Sequence, residues 1–275
     1  LGTVGEPINP RAWKWYYKHI GGEDCPVVDT WWQSETGGIM VTTLPGVGEM
    51  KPGSAGPPLP GIDAQVVDAD GNAAAPGEAG YLTIDRPWPG MLRGADDGEP
   101  VADHWRRSDE DDDPETDEWV YVPEDGAKID DDGYITILGR VDDVLNISGH
   151  RLGTMEIESA IVGVEGVAEA AVVDAGDEIH AYVCTQRGYA DDAALKRAVV
   201  ESIRAAIGPV AVPDRLVFTP ELPKTRSGKI MRRLLEDIAS GAELGDISTL
   251  RNPEIVGELR ARIEGTSRTY LDPDE

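Results

Sequence analysis

GRVDDVLNISGHRLGTMEIESAIV, residues Gly139–Val162, joins two differently patterned parts of the chain. Clustered Arg and Asp residues at its start indicate a polar turn, and its second half has the apolar spacing of an amphipathic helix. We predict that Thr154 is the N-cap of this helix, with Glu156 and Glu158 in its first turn. Its buried face is predicted to contain Ile157, Ala160, Ile161 and Val164. The segment is expected to link two domains, although a purely structural strand–turn–helix connection would use the same residue types.

Composition limits the classes of partner. The chain has 275 residues, which favours one or two domains, and 52 Asp and Glu against 25 Lys and Arg give a net charge of -27. This charge argues against binding to nucleic-acid backbones or anionic membranes. Only seven of the cations are Lys, and Phe occurs once. Such a composition fits adaptation to high intracellular salt, where ions screen the repulsion between acidic groups.

The cysteines and apolar runs give further limits. Cys25 and Cys184 lie far apart and predict neither a disulfide framework nor a zinc site, which fits a reduced, cytoplasmic setting. No apolar run is long enough to cross a bilayer, and no signal pattern opens the chain. Because the chain begins with Leu1 rather than Met, we expect a fragment of a longer protein.

A polar, aromatic and glycine-rich segment, Asp29–Gly38 (DTWWQSETGG), follows an apolar pair at Val27 and Val28. We predict a short buried strand that ends before Asp29, with the segment as the loop that follows it. Loops at the carboxyl ends of strands surround ligands in α/β folds, so the segment is a candidate site. The alternative is that its two Trp residues only pack in a core.

Residues 44–137 are predicted to form a β-rich subdomain, since Pro-Gly and Asp-Gly turn signals separate short apolar runs such as 64–67 and 81–84. Before it, residues 11–20 are predicted to be helical. Within it, residues 109–118 include eight acidic side chains. Like charges so close together repel each other, so we expect a solvated loop there rather than a metal site, and we assign it no function.

Beyond the join, strands alternate with helices. Strands are predicted near 170–173 and over 179–184, and a helix over 191–207. A last helix, carrying Ile255, Val256, Leu259 and Ile263, is predicted to follow a cap at Asn252-Pro253. This pattern is typical of a small α+β domain packed on one sheet.

The segment Leu222–Arg233, LPKTRSGKIMRR, contains five cations and no acidic residue. In so acidic a chain the segment makes the local electrostatic potential positive. Anionic phosphates or carboxylates are therefore its natural partners. The alternative is a basic helix start that forms surface ion pairs, with Ile230, Leu234 and Ile238 as its buried face. The residues alone leave both interpretations open.

These motifs, in this order, resemble those of the AMP-forming acyl-CoA synthetases, and most closely the acetyl-CoA synthetases. Three of them are involved: DTWWQSETGG, the join at Gly139–Val162, and PKTRSGK within Leu222–Arg233. Two departures are Ser34, where the family usually has Thr, and Pro123-Glu124, where it usually has Ser-Gly. The resemblance implies the end of a large α/β adenylate-forming domain with its β-rich subdomain, residues 1–141, and a small mobile α+β domain, residues 142–275.

The resemblance also implies a set of site residues. An acyl pocket would be lined by Val4 and closed by Trp32, and Glu35 would hold Mg²⁺ on the nucleotide phosphates. Asp125 would accept hydrogen bonds from the ribose hydroxyls, which a carboxylate can do for two donors at once. The full set of ATP- and AMP-binding positions is Gly5, Glu6, Pro7, Asp29, Thr30, Trp31, Gln33, Ser34, Asp125, Arg140 and Arg151.

For the second domain the resemblance makes Lys229 the catalytic lysine of adenylation, whose charge offsets negative charge in the transition state. It also makes Lys229 a target of a lysine acyltransferase and a deacylase. Asp142 would be the hinge about which the domain swings between half-reactions. Coenzyme A would contact Ser148, Gly149 and Arg204.

The reaction implied is that of an acetate–CoA ligase, in which ATP, acetate and CoA give acetyl-CoA, AMP and diphosphate through an acetyl-adenylate. The family's upstream phosphate loop is absent from these residues, so we expect the isolated chain to be inactive. Propionate is the alternative substrate, because one methylene is worth only about 1–3 kcal/mol of discrimination. The alternative of a different class is a truncated, non-catalytic adenylate-binding protein.

Overall fold

The computed structural model describes residues 1–92, 104–107, 119–141, 144–147, 150–176, 178–266 and 268–269. The acidic segment 109–118 and the possible hinge at Asp142 lie outside them. The chain divides into two compact units, Leu1–Val144 and Leu145–Glu275. None of the described helices is long and apolar enough to cross a membrane.

The first unit opens with a small three-stranded sheet in the order β1 (Gly2–Thr3), β2 (Val28–Trp31), β3 (Val41–Thr42). Helix α1 (Pro10–His19) connects the first two strands. Asn9 caps the helix by accepting a hydrogen bond from the Arg11 amide at 2.8 Å, and Pro10 occupies its first turn, where a missing N–H costs nothing. The predicted helix over 11–20 is therefore confirmed to within one residue at each end.

The second strand differs from the prediction that it would end before Asp29. It continues through Trp31, because Asp29 and Trp31 both point inward while Thr30 between them is half-buried. The first residues of the motif are mostly polar, yet they form a strand in which alternate side chains face the interior. The candidate segment is thus half strand and half turn.

A six-stranded antiparallel sheet forms the rest of the first unit and confirms the β-rich subdomain. Its order is β6-β7-β5-β8-β9, with β4 paired to β5. The largest fully buried side chains on it include Leu82, Ile84, Tyr121 and Ile135. The strands are β4 (Ala64–Val67), β5 (Ala79–Ile84), β6 (Trp105–Arg107), β7 (Trp119–Tyr121), β8 (Asp125–Ile129) and β9 (Ile135–Arg140).

A hairpin that the sequence did not predict starts at the last residue of the first unit, with β10 (Val144–Ile147) and β11 (His150–Gly153). The chain then continues into helix α2 (Thr154–Val162) of the second unit. The N-cap prediction for Thr154 is wrong: Gly153 holds that position, without a side-chain cap. Thr154 is instead the first helical residue and is buried. The predicted apolar face is confirmed, with Ile157, Ala160 and Ile161 buried and Val164 packed against them.

A three-stranded sheet, β12 (Val167–Asp174), β13 (Ile179–Thr185) and β14 (Arg215–Phe218), organises this unit. The first pair is antiparallel, and β14 runs parallel to β13 after the crossover through α3 (Ala193–Ala206). Alternate residues of β12 serve two cores. Val172 belongs to the core that includes α2 and α3, while Ala171 and Val173 belong to the core that includes α4 (Arg232–Ser240) and α5 (Ile255–Gly265).

The sequence predicted a cap of the last helix at Asn252-Pro253, but the Asn252 side chain does not cap this helix. Its carboxamide is buried and accepts a hydrogen bond from the Lys224 amide at 3.2 Å, while its Nδ2 donates to the Leu222 carbonyl at 3.1 Å. Only its main-chain carbonyl serves the helix, accepting from the Ile255 amide. The side chain therefore ties the cationic segment to the residues before α5.

Candidate active site

Three motif positions of the first unit meet at one carboxylate. Both Trp31 Nε1, at 2.8 Å, and Gln33 Nε2, at 3.0 Å, donate to Oδ2 of Asp125. Gln33 Nε2 also donates to the Pro123 carbonyl at 2.9 Å, and the Tyr121 hydroxyl donates to Gln33 Oε1 at 2.7 Å. Because Tyr121 fixes the oxygen end of the amide, the nitrogen end must face Asp125.

The Asp125 side chain lies in a buried environment at the start of β8. Burial raises the pKa of its carboxyl above the ordinary value, while the Trp31 hydrogen bond and the positive charge of Arg140 act in the opposite direction. Arg140 is the backbone partner of Asp125 across the β8–β9 ladder. The two residues expected to contact the ribose therefore begin and end neighbouring strands.

The unusual Glu124 also belongs to this corner. Its φ of 60° lies in the left-handed region that favours glycine, so a carboxylate-bearing residue is strained there. Its side chain accepts a hydrogen bond from Arg140 Nη2 at 2.7 Å, and Nη1 of the same Arg lies 3.3 Å from the Pro123 carbonyl. The departure at Pro123-Glu124 thus gives Arg140 a partner next to Asp125.

Asp29 is a buried and hydrogen-bonded residue of the motif. Its carboxylate is buried and accepts from Thr3 Oγ1 at 2.8 Å and from the Thr30 amide at 3.0 Å. Burial raises its pKa, and these hydrogen bonds oppose the rise. Thr30 Oγ1 donates to the Thr3 carbonyl at 3.2 Å. These contacts join the motif to the segment that carries Val4, Gly5, Glu6 and Pro7.

That segment follows β1 and is open to solvent. Val4 is 62% exposed, and Glu6 is also exposed. Gly5 has a φ of 101°, a conformation that side chains rarely adopt, with nothing within 4 Å of where a Cβ would lie. Glycine at position 5 is therefore favoured by the backbone conformation, and not by a close contact with any of the described residues.

A tight turn presents the second half of the motif. The Thr36 hydroxyl is buried, accepts from the Gln33 amide at 2.9 Å and lies 2.8 Å from the Gln33 and Gly38 carbonyl oxygens. Glu35 is half-buried, whereas Ser34 and Trp32 are exposed, Trp32 to 46%. Trp32 and its neighbour Trp31 therefore have opposite roles: Trp31 is a core residue, and Trp32 faces solvent.

The segment around Trp88 supports this turn. Trp88 Nε1 donates to the Thr36 carbonyl at 2.7 Å, and the Leu92 amide donates to the Glu35 carbonyl at 2.9 Å. A Cβ on Gly37 would lie only 1.9 Å from the Gly90 carbonyl oxygen. Glycine at position 37 allows the two backbones to come so close, whereas a Cβ on Gly90 would make only ordinary contacts, at 3.8 Å and 3.9 Å.

In the second unit Lys229 lies in the segment Pro223–Met231, which we call the lysine loop. The Thr225 amide donates to the Lys229 carbonyl at 2.8 Å, and the Lys229 amide donates to Thr225 Oγ1 at 3.1 Å. Bridge pairing of Lys224 with Ile230 closes the base of the loop. Lys229 is exposed, which suits a cation that must reach an anionic partner.

The five cations of the Leu222–Arg233 segment divide into two groups. Lys224 and Arg232 are paired with carboxylates of their own unit, Glu169 and Glu158. The side chains of the others are exposed at the surface: Arg226, Lys229 and Arg233. Two cations of the segment thus attach it to its own unit, and three lie at its surface, where positive charge attracts anions.

The remaining predicted positions are only partly described. Asp142, Ser148 and Gly149 lie outside the described residues, as does the side chain of Arg151. Arg204 is exposed in the last turn of α3. Across the parts of the chain that the structure describes, no three His, Cys, Asp or Glu residues form a metal cluster.

Several residues of the site were not predicted from the sequence. Tyr121, Thr36 and Trp88 make the hydrogen bonds that position Gln33 and the turn, and Thr3 holds Asp29. The alternating Trp119-Val120-Tyr121 pattern was a signal of a strand, but nothing in it indicated which strand would lie beside it. These contacts join segments up to 88 positions apart.

With this geometry established, comparison with known proteins identifies the class. Residues 1–94 match the family model described as AMP-binding enzyme, and residues 156–229 match the AMP-binding enzyme C-terminal domain. The chain therefore belongs to the AMP-binding enzyme family, which confirms the resemblance found in the motifs.

Within that family its similarity points to one kind of protein. It is 51% identical over 276 residues to an acetyl-coenzyme A synthetase of Gemmatimonas aurantiaca, covering 96% of this chain and 40% of that protein. The chain thus spans about 40% of the length of the curated relative.

Solved structures share the fold. The acetoacetyl-CoA synthetase from Streptomyces lividans matches with a TM-score of 0.75 at 20% identity, over 96% of this chain and 40% of that one. An ATP-bound RpMatB-BxBclM chimera matches with a TM-score of 0.69 at 25% identity, over 87% of this chain and 45% of that one. The predicted mixture of α/β and α+β architecture is confirmed.

Proposed function

We propose that these residues are part of an acetate–CoA ligase that forms acetyl-CoA, AMP and diphosphate from acetate, ATP and CoA through an acetyl-adenylate. The observation that carries the proposal is the pair of hydrogen bonds from Trp31 and Gln33 to the Asp125 carboxylate, since they join the motif DTWWQSETGG to the residue expected to bind the ribose. The similarity to proteins named acetyl-coenzyme A synthetase supports the choice of acid.

The first unit would bind the nucleotide. Because Trp31 and Gln33 both donate to Oδ2 of Asp125, we propose that the other oxygen accepts from the ribose hydroxyls, with Arg140 beside it. The adenine would lie against Gly5-Glu6-Pro7 and the motif segment Asp29–Ser34. The similarity to a structure described as ATP-bound supports a nucleotide as the ligand.

The exposed Val4 and Trp32 would contact the acyl group. A bulky indole shortens an acyl pocket and favours acetate, with propionate as the nearest competitor. Trp32 is 46% exposed, so its ring is available for this contact and is not committed to the core.

Magnesium fits the donors present at Glu35. This carboxylate is half-buried in the turn, and no cage of three or more such ligands lies among the described residues. Mg²⁺ commonly binds through one or two carboxylates together with substrate phosphates, which is the arrangement that Glu35 would support. When bound, the ion would neutralise phosphate charge.

Lys229 would stabilise the adenylation transition state. The acetate carboxylate attacks the α-phosphorus of ATP, the bond to diphosphate breaks, and the Lys229 ammonium offsets the negative charge that accumulates between them. Acylation of Lys229 by a lysine acyltransferase would remove this charge, and a deacylase would restore it. The exposure of Lys229 is compatible with access by such enzymes.

The second half-reaction would use the same pocket with another surface. We propose that residues 142–275 turn about Asp142 relative to residues 1–141. Ser148, Gly149 and Arg204 would then contact CoA, and Arg151 would serve both steps. The CoA thiolate attacks the acetyl carbonyl, and AMP leaves with the bonding electrons.

The acidic composition supports a cytoplasmic protein of a high-salt cell.

The test begins with the coding sequence upstream of Leu1, read in frame. The protein it encodes is assayed at high salt for acetate- and propionate-dependent exchange of diphosphate into ATP. We expect exchange with acetate and a loss of about 100-fold or more in Lys229→Ala. Lys14→Ala, an exposed lysine of α1, is the matched control and should retain exchange.

The 275-residue chain alone is expected to give no turnover. The second candidate is a non-catalytic adenylate-binding protein, which the hydrogen-bonded carboxylate of Asp125 would serve equally well. AMP binding by the chain, abolished in Asp125→Ala, together with no exchange in the in-frame product, would support this candidate. Acetate-dependent turnover by the isolated chain would contradict it.

A further inference from the structure

Two acidic residues to which the sequence analysis gave no site role, Glu158 and Glu169, hold the two ends of the lysine loop. At its base the Met231 amide donates to the Pro223 carbonyl at 2.9 Å, so the loop is closed like a hairpin. Lys224 lies at one end, and Arg232 directly follows the other. Each of these cations makes a bidentate contact with a carboxylate of the same unit.

The first contact joins the loop to the sheet. Lys224 Nζ lies 2.7 Å and 2.6 Å from the two carboxylate oxygens of Glu169 on β12. The Lys224 side chain is 20% exposed and that of Glu169 is 45% exposed. Solvent partly screens a pair at this depth, so the pair contributes modestly to stability. Its main effect is to fix the orientation of the Lys224 end of the loop relative to β12.

The second contact is more deeply buried. Arg232 Nη2 lies 3.0 Å and 2.9 Å from the carboxylate oxygens of Glu158 on α2, and the Glu158 side chain is only 7% exposed. Glu158 Oε1 also accepts from the Val172 amide of β12 at 2.8 Å. A carboxylate that bonds a strand and a guanidinium together has a fixed position, and an ion pair so buried is costly to break.

Backbone contacts hold the loop on its remaining side. The Arg251 amide donates to the Lys224 carbonyl at 2.8 Å, and Thr225 forms a bridge pair with Leu250. The loop is thus attached to α2, to β12 and to the segment before α5. Its tip, with Lys229, lies between these attachments.

We propose that Glu158 and Glu169 are positioning residues for Lys229. They fix the lysine loop to the body of the second unit, so that the Lys229 ammonium moves with the unit as a whole and not as a flexible arm. The functional meaning of this role rests on the proposed function of Lys229 in adenylation. The attachment itself is a property of the 275-residue chain and can be measured without turnover.

The experiment is hydrogen exchange of the 275-residue chain, comparing Glu158→Gln and Glu169→Gln with the unsubstituted protein. The reporters are the loop amides of Thr225, Gly228, Lys229 and Met231. We expect them to exchange about threefold faster in Glu169→Gln, where the pair is partly exposed, and about tenfold faster or more in Glu158→Gln. The amides of β13 should keep their protection.

A matched control is available on α5. Glu258 is 43% exposed and pairs with Arg262 at 2.9 Å, so Glu258→Gln removes a pair whose carboxylate is about as exposed as that of Glu169 and that does not include a loop residue. It should leave the loop amides unchanged. Glu169→Asp, which keeps the charge on a shorter side chain, should restore part of the protection that Glu169→Gln loses.

Two results would overturn the proposal: unchanged loop exchange in a folded Glu169→Gln, or an equal rise at the loop and at β13. If Glu158→Gln does not fold, Glu169→Gln and its Asp counterpart decide alone. The proposed function fails separately, through full diphosphate exchange by Lys229→Ala in the in-frame product. That result would leave the attachment of the loop intact.

Discussion

The indole N–H of Trp31 donates to Oδ2 of Asp125 at 2.8 Å, although the two residues lie 94 positions apart. One closes a strand of the small sheet, and the other opens a strand of the six-stranded sheet. Because both side chains are buried, the bond sets the orientation of the carboxylate before any ligand arrives. Preorganisation of this kind saves the ligand the cost of ordering the site.

Trp31→Phe should therefore damage both stability and nucleotide binding. It leaves a buried carboxylate oxygen with one donor fewer, at a cost of about 1–3 kcal/mol. The measurements are urea unfolding and titration with AMP. Trp32→Phe is the control, because Trp32 is exposed, and its unfolding midpoint should stay close to that of the unsubstituted protein. Equal losses in the two variants would contradict the special role of Trp31.

Gln33→Glu should destabilise the first unit in a pH-dependent way. It places a second, half-buried carboxylate where Gln33 Nε2 now lies, 3.0 Å from the buried Asp125, and two like charges so close raise each other's pKa. When the folded pKa of a carboxyl lies above its unfolded pKa, the free energy of unfolding falls as pH rises above about 4. The protein regains this stability on acidification. Unfolding at pH 5 and pH 8 should show the larger loss at pH 8.

Tyr121→Phe removes the neutral hydrogen bond to the same Gln33 and serves as the comparison. Burial raises the pKa of Tyr121 above its ordinary value, so its hydroxyl is protonated at both pH values. The loss, about 1 kcal/mol, should be the same at pH 5 and pH 8. A pH-independent loss in Gln33→Glu would contradict the repulsion.

Gly37→Ala should be strongly destabilising. Gly37 has a φ of 66°, and the new Cβ would meet the Gly90 carbonyl at 1.9 Å, so the backbones that support Glu35 must separate. Gly71→Ala is matched to it, with a φ of 82° and open space around the Cβ. In the control, the backbone conformation alone should lower the free energy of unfolding by about 1–2 kcal/mol. Gly37→Ala should lower it clearly more. Thermal unfolding measures both, and similar losses would show that the clash is relieved.

Glu178→Gln should lower the stability of the second unit at neutral pH. Glu178 accepts hydrogen bonds from Arg215 Nε at 2.9 Å, from His180 Nε2 at 3.1 Å and from Arg268. These partners, Arg215 foremost, lower its pKa to about 2. The stabilisation is thus complete above the unfolded pKa of about 4.5 and is lost as pH falls toward 2. The unfolding curves of the two proteins should converge over that interval. A constant difference would mean that the charge of Glu178 contributes little.

The sequence predicted elements well where apolar spacing alone determines them. The inward face of α2, at Ile157 and Ile161, and the β-rich subdomain are of this kind. The prediction that the strand would end before Asp29 was wrong because a buried carboxylate bonded to Thr3 looks the same in sequence as a loop residue. The residue type of Thr154 predicts an N-cap, but Gly153 holds that position.

Long-range partners could not be predicted at all. Strand β14 pairs in parallel with β13 only because α3 returns the chain across the sheet. Asn252 looked like a helix cap and instead binds the base of the lysine loop. The motifs indicated which residues belong to the site, whereas the hydrogen bonds of Tyr121 and Thr36 depend on the completed fold. The roles carried over by resemblance for Lys229, Asp142 and Arg204 stay predictions.

The ties of the lysine loop also have an order in time. Glu158 and Glu169 leave the ribosome 74 and 55 residues before the cations they bind, and Leu250 leaves it afterwards. Contacts between distant positions carry a loop-closure cost and form late in folding. A nascent chain that has not yet reached Leu250 therefore has all three strands of the sheet but an incompletely held lysine. The lysine loop is therefore fully held only after the chain has been synthesised as far as Leu250.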